Sequence, residues 1–263
     1  MIDFFHEVLN FSLYFFIFMI MFAPLEHVFA AKRQPFFRKE WLTDFAFHLF
    51  QTLLWTKLTL FSIEWLHHSF NAFIWIMPVR NLFSEQNLFL QILWIVFLSD
   101  FLIYWGHRLS HQIPFLWNFH KIHHTAVALD WLAAFREHPF DNIYTRVIVN
   151  LPALAMGFSL DAVAGYVIFR GLWGNFIHSN TPFGLGPFKY ILGSPRLHHW
   201  HHDFDKNSRC NFANLMPVMD VMFGTFYDPG KMPEKYGIDD SISHRYLPQI
   251  LLPVFPFLRK FFR

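Results

Sequence analysis

The sequence predicts an all-α, polytopic helical membrane protein: three spans plus a membrane hairpin, with a cytoplasmic histidine-rich metal-binding cap. Three observations lead there. Hydrophobic residues make up 54% of the 263-residue chain and charged residues only 15%, whereas a soluble chain carries about a quarter charged residues. Aromatic residues reach 21%, with 37 Phe and 10 Trp, a composition suited to contact with lipid. Seventeen histidines nearly match the 19 carboxylates of an otherwise apolar chain. The net charge of +2 and the lack of a long basic stripe argue against nucleic acid as a partner. A single cysteine, Cys210, excludes a disulfide framework, a four-cysteine zinc site and a cysteine-ligated iron–sulfur cluster.

A bilayer-spanning helix needs about 20 mostly apolar residues. The first candidate runs from Val8 to Ala30 and holds only Glu26 and His27. It is too long for a signal peptide and lacks a basic start and a small-residue cleavage site. The second, Trp41 to Ile63, is less pure, with Asp44, His48 and Lys57; the third, Leu88 to Gly106, has Asp100 as its one ionisable group. Between them, Glu64 to Asn87 is partly apolar and reads as interfacial. Ile143 to His178 is apolar but broken by Pro152, Gly157 and Asp161, which favours a hairpin bent near Gly157 to Asp161. From Ser179 the chain turns polar, and the end from Ile250 to Arg263 mixes Leu and Phe with Arg259, Lys260 and Arg263, as in a segment lying on a membrane surface.

Orientation follows from lysine and arginine. The connection from Ala31 to Glu40 holds Lys32, Arg33, Arg38 and Lys39 and should face the cytoplasm, whereas the first residues and Glu64 to Asn87 carry little positive charge. No internal repeat divides the chain. It reads as a single membrane domain over 1–263, with N-terminal transmembrane helices over 1–90 and the chemistry over 91–237.

The histidines are grouped. His107 and His111 stand in HRLSH, His120, His123 and His124 in HKIHH, and His198, His201 and His202 in HHWHH, with His199 as an extra. On a helix, spacings of three and four bring side chains to one face, about 5–6 Å apart at Cβ, so each group can present two or three imidazoles to one point. Neutral imidazole suits zinc, copper, iron and nickel, and eight histidines exceed what one ion uses; two neighbouring ions fit best. Isolated histidines such as His6, His27, His48, His67, His68 and His244 read as hydrogen-bonded packing residues. The two HxxHH groups must lie on one side of the membrane, so an even number of crossings must separate them. The hairpin supplies that.

At these residues the chain resembles the fatty acid hydroxylase/sterol desaturase superfamily of integral-membrane di-iron enzymes. The likeness runs from about Ser99 to Gly237 through SDFLIYWGHRLSH, PFLWNFHKIHHT, LDWLAAFREHPFDN, NFIHSN and SPRLHHWHHD. It closes on Asn211, Asp220, Phe223, Gly224, Thr225 and Tyr227, with Met219 and Ala213 where the family often has Trp and Gly. The resemblance implies two iron ions, O2 as co-substrate, and oxidation of a lipid C–H bond by hydroxylation or desaturation. It implies His107, His111, His120, His123, His124, His198, His201 and His202 as ligands, and His178 as a further one. His138 in REHP is implied either as a ligand or as a structural histidine before Pro139.

Spacing suggests groups that support those ligands. Asp100 lies about 10 Å along the helix from His107, too far to touch it, and is expected to meet a cation or to orient a histidine from another segment. Tyr104, one turn from His107, is a nearer candidate. Glu137 and Asp203 are placed to accept ring N–H groups, as are Asn175 and Asn180 more weakly. Arg108, Lys121, Arg136 and Arg196 read as anchors on the cytoplasmic face. Soluble di-iron bundles use Glu and a pair of ExxH helices; this chain has no such pair, and no HExxH, GxSxG or phosphate-cradling loop is present.

The function expected is membrane-bound, O2-dependent oxidation of a lipid, fed by a separate electron donor of cytochrome or ferredoxin type because no HPGG segment is present. The other class is a metal transporter or a haem electron carrier. Haem needs facing histidines in mid-span, and a transporter needs an ionisable path, for which only Asp44, Lys57, Asp100 and Asp161 qualify. The expected location is a bacterial cytoplasmic membrane, or the endoplasmic reticulum in a eukaryote, because the terminal RKFFR is not a retrieval signal.

Overall fold

A computed structural model of the chain describes residues 2–71, 77–204, 209–239 and 242–262. Among these residues the fold is helical, and the one extended pairing is an isolated bridge between Asp203 and Tyr236. The helices are α1 (Ile2–Val28), α2 (Trp41–Phe50), α3 (Thr56–Asn71), α4 (Met77–Ser84), α5 (Leu88–Gln112), α6 (Pro114–His120), α7 (Pro139–Met156), α8 (Leu160–His178), α9 (Pro195–His201), α10 (Val218–Met222) and α11 (Tyr246–Leu251). A single wide π turn, Gln51–Trp55, links α2 to α3.

Among the described residues two helices are long and apolar enough to cross a membrane, His6–Val28 within α1 and Leu88–Gln112. Both leave large side chains such as Leu13, Ile20, Phe89 and Leu93 exposed, as lipid-facing helices do. The second expected span is helical but interrupted by the π turn. A helical hairpin stands at the expected place as α7 and α8, each rising about 27–29 Å at 1.5 Å per residue, and neither is among the helices long and apolar enough to cross a membrane. Its bend falls at Gly157, which takes a left-handed φ of 67° that glycine adopts without strain. Ser159 then caps α8 by accepting the amide of Ala162. Part of the segment expected to be interfacial, residues 72–76, and the terminal Arg263 lie outside the described residues.

The core places several helix ends together. Ile95 and Ile103 of α5 pack against Val149 and Ala153 of α7 and Ala162 and Tyr166 of α8. Phe11, Phe15 and Phe22 of α1 pack on Trp131 and Leu132. The chain therefore leaves the C-terminal end of α5, passes through residues 120–138, runs out along α7 and returns along α8. That return sets His178 against His123.

Buried ion pairs tie this end shut. Arg38 forks onto Asp130 and reaches Asp44, while Arg136 binds Asp44 and Glu40. Glu40 also meets His244. The reading of Arg136 as a membrane-surface anchor is therefore wrong: its side chain is fully buried, and a buried guanidinium persists only when it is paired and hydrogen-bonded. Arg38, counted among the cytoplasmic charges, is buried for the same reason. Arg196 and Arg108 likewise have internal partners, Asp228 for the first and Tyr104 with the Phe223 carbonyl for the second.

Candidate metal centre

Nine histidines converge at this end in two adjacent groups. His107, His111, His120, His124 and His201 form one, and His123, His178, His198 and His202 the other; within each, the candidate ligand nitrogens lie within 4.8 Å of one another. None of the nine is more than 9% exposed. All nine positions expected to be ligands are thus brought together. His138 is not among them.

The allotment differs from the pattern expected along the sequence, in which each motif serves one point. HKIHH and HHWHH each feed both groups: His120 and His124 join the first group while His123 joins the second, and His198 and His202 join the second while His201 joins the first. The cause is helical rotation of about 100° per residue. Positions i and i+4 lie close in angle, whereas i+3 and i+4 diverge by a full step.

Backbone carbonyls set the tautomers. Nδ1 of His107 donates to Phe212 O at 2.8 Å, His201 to Cys210 O at 2.8 Å, His123 to Arg136 O at 3.1 Å and His178 to Gly174 O at 2.7 Å. His120 donates its Nδ1 proton to Asp141 Oδ2 at 2.9 Å. Each of these rings, when neutral, then carries a bare lone pair on Nε2.

The lone pairs of His107 and His120 face each other, as do those of His123 and His178. The Nε2 atoms of His107 and His120 lie 3.1 Å apart, His120 and His124 3.2 Å, His123 and His178 3.0 Å, His178 and His198 2.9 Å, and His198 and His202 3.1 Å. Nε2 of His111 and of His201 are buried and have no hydrogen-bond partner among the described residues. Facing lone pairs repel unless a cation lies between them. A proton is a poor candidate, because burial first and neighbouring imidazoles second hold His123, His124, His198 and His202 well below the ordinary histidine range. Burial holds His201 down to about 3. A metal fits: with nitrogen about 2.1 Å from the ion, ligands at right angles lie about 3.0 Å apart and opposite ones about 4.2 Å. The residues present suit an imidazole-bound metal in each group.

The sequence profile of fatty acid hydroxylase matches residues 92–225, half of the chain. The chain belongs to the fatty acid hydroxylase family. Among its relatives, an ornithine lipid hydroxylase of Rhizobium tropici is 27% identical over 158 residues, covering 59% of this chain and 48% of that protein. An alkylglycerol monooxygenase of Xenopus tropicalis is 31% identical over 154 residues, covering 57% and 33%. A methylsterol monooxygenase 2-2 of Arabidopsis thaliana is 26% identical over 154 residues, covering 57% and 58%. The chain thus spans about half or less of the first two. No solved structure matches it.

The remaining residues of the family motifs hold the histidines from behind. Among the described residues Asp100 neither meets a cation at ion-pair distance nor bonds a histidine; it accepts the amides of Leu215 at 3.2 Å and Met216 at 2.7 Å. Asp220 accepts the amides of Phe212 and Ala213 and the Thr225 hydroxyl. Together they fix segment 210–216, whose carbonyls hold His107 and His201. Tyr104 is also not a histidine partner. It donates to Thr225 and accepts from Arg108, and it packs with Met219 and Ala213, the two departures from the family pattern.

Glu137 accepts from Asn142 rather than from a ring N–H. The backbone of Asp203 pairs with Tyr236. His138 caps α7, accepting from the Phe140 amide and donating to Ile250 O, so both its nitrogens are spent on backbone. Asn175 donates to Gly171 O, and Asn180 is clamped to Lys32. His199, unexplained by pattern, donates to Ser179 O at 3.0 Å and accepts from Tyr236 at 2.7 Å, locking α9 to the end of α8.

Sequence reasoning passed over Asp141. Its signal was an acid in the first turn of a helix, FDN after HP, where such acids are usually read as dipole partners. The carbonyl acceptors gave no signal at all.

Proposed function

We propose that this chain is an integral-membrane lipid hydroxylase in which the nine histidines hold two iron ions and O2 is the co-substrate. The observation that carries this is the convergence of nine buried imidazoles, with Nε2 lone pairs facing one another, into two adjacent groups. Membership of the family supports it, as do relatives whose names specify oxidation of ornithine lipid, alkylglycerol and methylsterol. Bound iron supplies the O2 chemistry that an unactivated C–H bond requires and that side chains lack. One oxygen atom enters the C–H bond as hydroxyl and the other leaves as water, with two electrons and two protons drawn from a separate carrier.

The protein's own part is positional. Carbonyls of residues 136, 174, 210 and 212 keep the Nδ1 protons in place, Asp141 holds His120, and burial keeps water from the centre. The transporter reading has little support, since Asp44 pairs with arginines, Asp100 with backbone amides and Lys57 with Glu7. Three spans and the α7–α8 hairpin, with the histidines on the cytoplasmic side of a bacterial inner membrane, remain the proposed topology. Desaturation is the variant outcome, since both reactions start by removing the same hydrogen.

The test is single turnover. Purified protein reconstituted with iron, O2, a reductant and a lipid extract should bind two irons per chain and yield lipids heavier by one oxygen atom. No oxidised lipid of any class, or undiminished product from His201→Ala, would refute the proposal.

A further inference from the structure

The segment that holds His107 and His201 from behind runs down beside α5, along the apolar part of that helix. Asp100 stands at the middle of the 25-residue helix Leu88–Gln112, about 18 Å from either end at 1.5 Å per residue. Its carboxylate accepts the amides of Leu215 and Met216, which sets that stretch of chain beside the centre of the helix. The residues around α10 pack on the same helix: the Phe223 ring lies 4.9 Å from that of Trp105 and 6.4 Å from that of Phe101. Residues 186–192 are tied to this segment. Gly193 N donates to Leu215 O at 2.9 Å, and the two stretches approach so closely that a Cβ on Gly193 would collide with Asn214 O.

Non-helical backbone survives at the depth of hydrocarbon only where protein satisfies its polar groups. Here buried side chains do so. The amides of Leu215 and Met216 end on Asp100, those of Phe212 and Ala213 on Asp220, and that of Tyr227 on Asn211 Oδ1. The outward surface is apolar. Phe188, Ile191, Val221 and Met222 are exposed, Met222 by 65% and Phe188 by 62%, and so are Leu93 and Phe97 of the helix they accompany. Residues 186–192 and 217–223 carry two charged side chains, Lys189 and Asp220. Asp220 is buried on its amides, and Lys189 takes its charge to Asp228 at 3.0 Å, where Arg196 also binds, as a lysine at a membrane boundary carries its head group away from lipid.

We propose that residues 186–192 and 217–223 form a foot seated among the acyl chains of the membrane that α5 crosses. The chain beyond the hairpin is then partly embedded rather than wholly cytoplasmic. Lipid is the occupant of the exposed face because that face lies beside the middle of an apolar helix, and exposed apolar side chains on both make one surface. The carbonyls of Cys210 and Phe212, which hold His201 and His107, belong to the same segment, so the first histidine group is braced from the lipid side. The inference rests on the crossing of α5 proposed above.

Fluorescence quenching of the full chain in phosphatidylethanolamine–phosphatidylglycerol vesicles tests it. Ile191→Cys and Met222→Cys each carry a bimane label, with Leu93→Cys on α5 as the lipid reference and the exposed Lys235→Cys as the water reference. The native Cys210 is buried, and the unsubstituted chain treated alike gives its background. All four replaced side chains are on the surface, and unchanged helix content by circular dichroism verifies the fold. Labels at 191 and 222 should be quenched by lipids brominated in their acyl chains as strongly as the label at 93. Iodide should quench them roughly tenfold less than the label at 235, because hydrocarbon excludes an anion. Iodide quenching at 191 or 222 equal to that at 235, with 93 still in lipid, would overturn the foot and leave the crossing of α5 standing. Iodide quenching at 93 as well would overturn both. Protection of 191 and 222 from both quenchers would mark a face covered by protein, such as a second copy of the chain, and would also overturn the proposal.

Discussion

Replacing Asp141 by asparagine isolates one support of one group. The carboxylate accepts His120 Nδ1–H at 2.9 Å, and both side chains are under 9% exposed. Asparagine keeps the shape and an acceptor oxygen but loses the charge. A hydrogen bond to a charged group contributes about 1.5–3 kcal/mol and a neutral one about 0.5–1.5, so roughly 1–1.5 kcal/mol is lost, near tenfold in affinity. Loss of such a supporting partner at metal sites runs from about 10- to 100-fold, and the lower part of that range is expected here. Competition between the protein and a graded series of iron chelators measures it. One iron per chain should weaken by about tenfold while the other keeps its affinity, because the second group has no contact with Asp141. Equal weakening of both ions, or none, would refute the division into two groups and the role of Asp141.

His178→Ala removes one member of the four-histidine group, so iron content should fall from two to one per chain, read by elemental analysis. Arg136→Met strips Asp44 and Glu40 of a buried cation and should cost about 3–5 kcal/mol, seen as a fall of roughly 10 °C in melting temperature; an unchanged melting point would refute the pairing. His199 and His201 are both held to about 3 by burial, against about 6.5 unfolded. The unfolded chain therefore binds protons that the metal-free native state refuses between pH 6.5 and 3. Stability is full above pH 6.5 and should fall through that window by about 1.4 kcal/mol per pH unit for each such histidine, measurable by denaturant titration at several pH values. Asp220→Ala leaves the amides of Phe212 and Ala213 unsatisfied and should loosen His107, lowering iron affinity about tenfold; unchanged iron binding would remove that link.

The histidine groups were legible because ligand spacing is local. HRLSH, HKIHH and HHWHH each lie within about one helical turn, and nitrogen is a property of the residue type. The helical hairpin was legible from Gly157 and Asp161 for the same reason, whereas Pro152, read as a breaker, lies inside α7 without ending it. What was misread involves partners far away in the chain. Arg136 meets Asp44 across 92 positions, and Asp100 meets Met216 across 116; no local pattern records such a pairing. His138 in REHP was readable either as a ligand or as a structural histidine, and only its bonds to the Phe140 amide and Ile250 O decided.

Composition and spacing by themselves determined a helical, apolar chain with an imidazole-rich end, and the motifs in their order carried the resemblance to one family. Tertiary structure decided which imidazoles share a group, which proton each ring keeps, and which arginines are internal. The physical reason is the range of each constraint. Helix rotation and side-chain chemistry act over a few residues, whereas the acceptors of Nδ1 are mostly backbone carbonyls, alike in every residue. Only folding chooses among them.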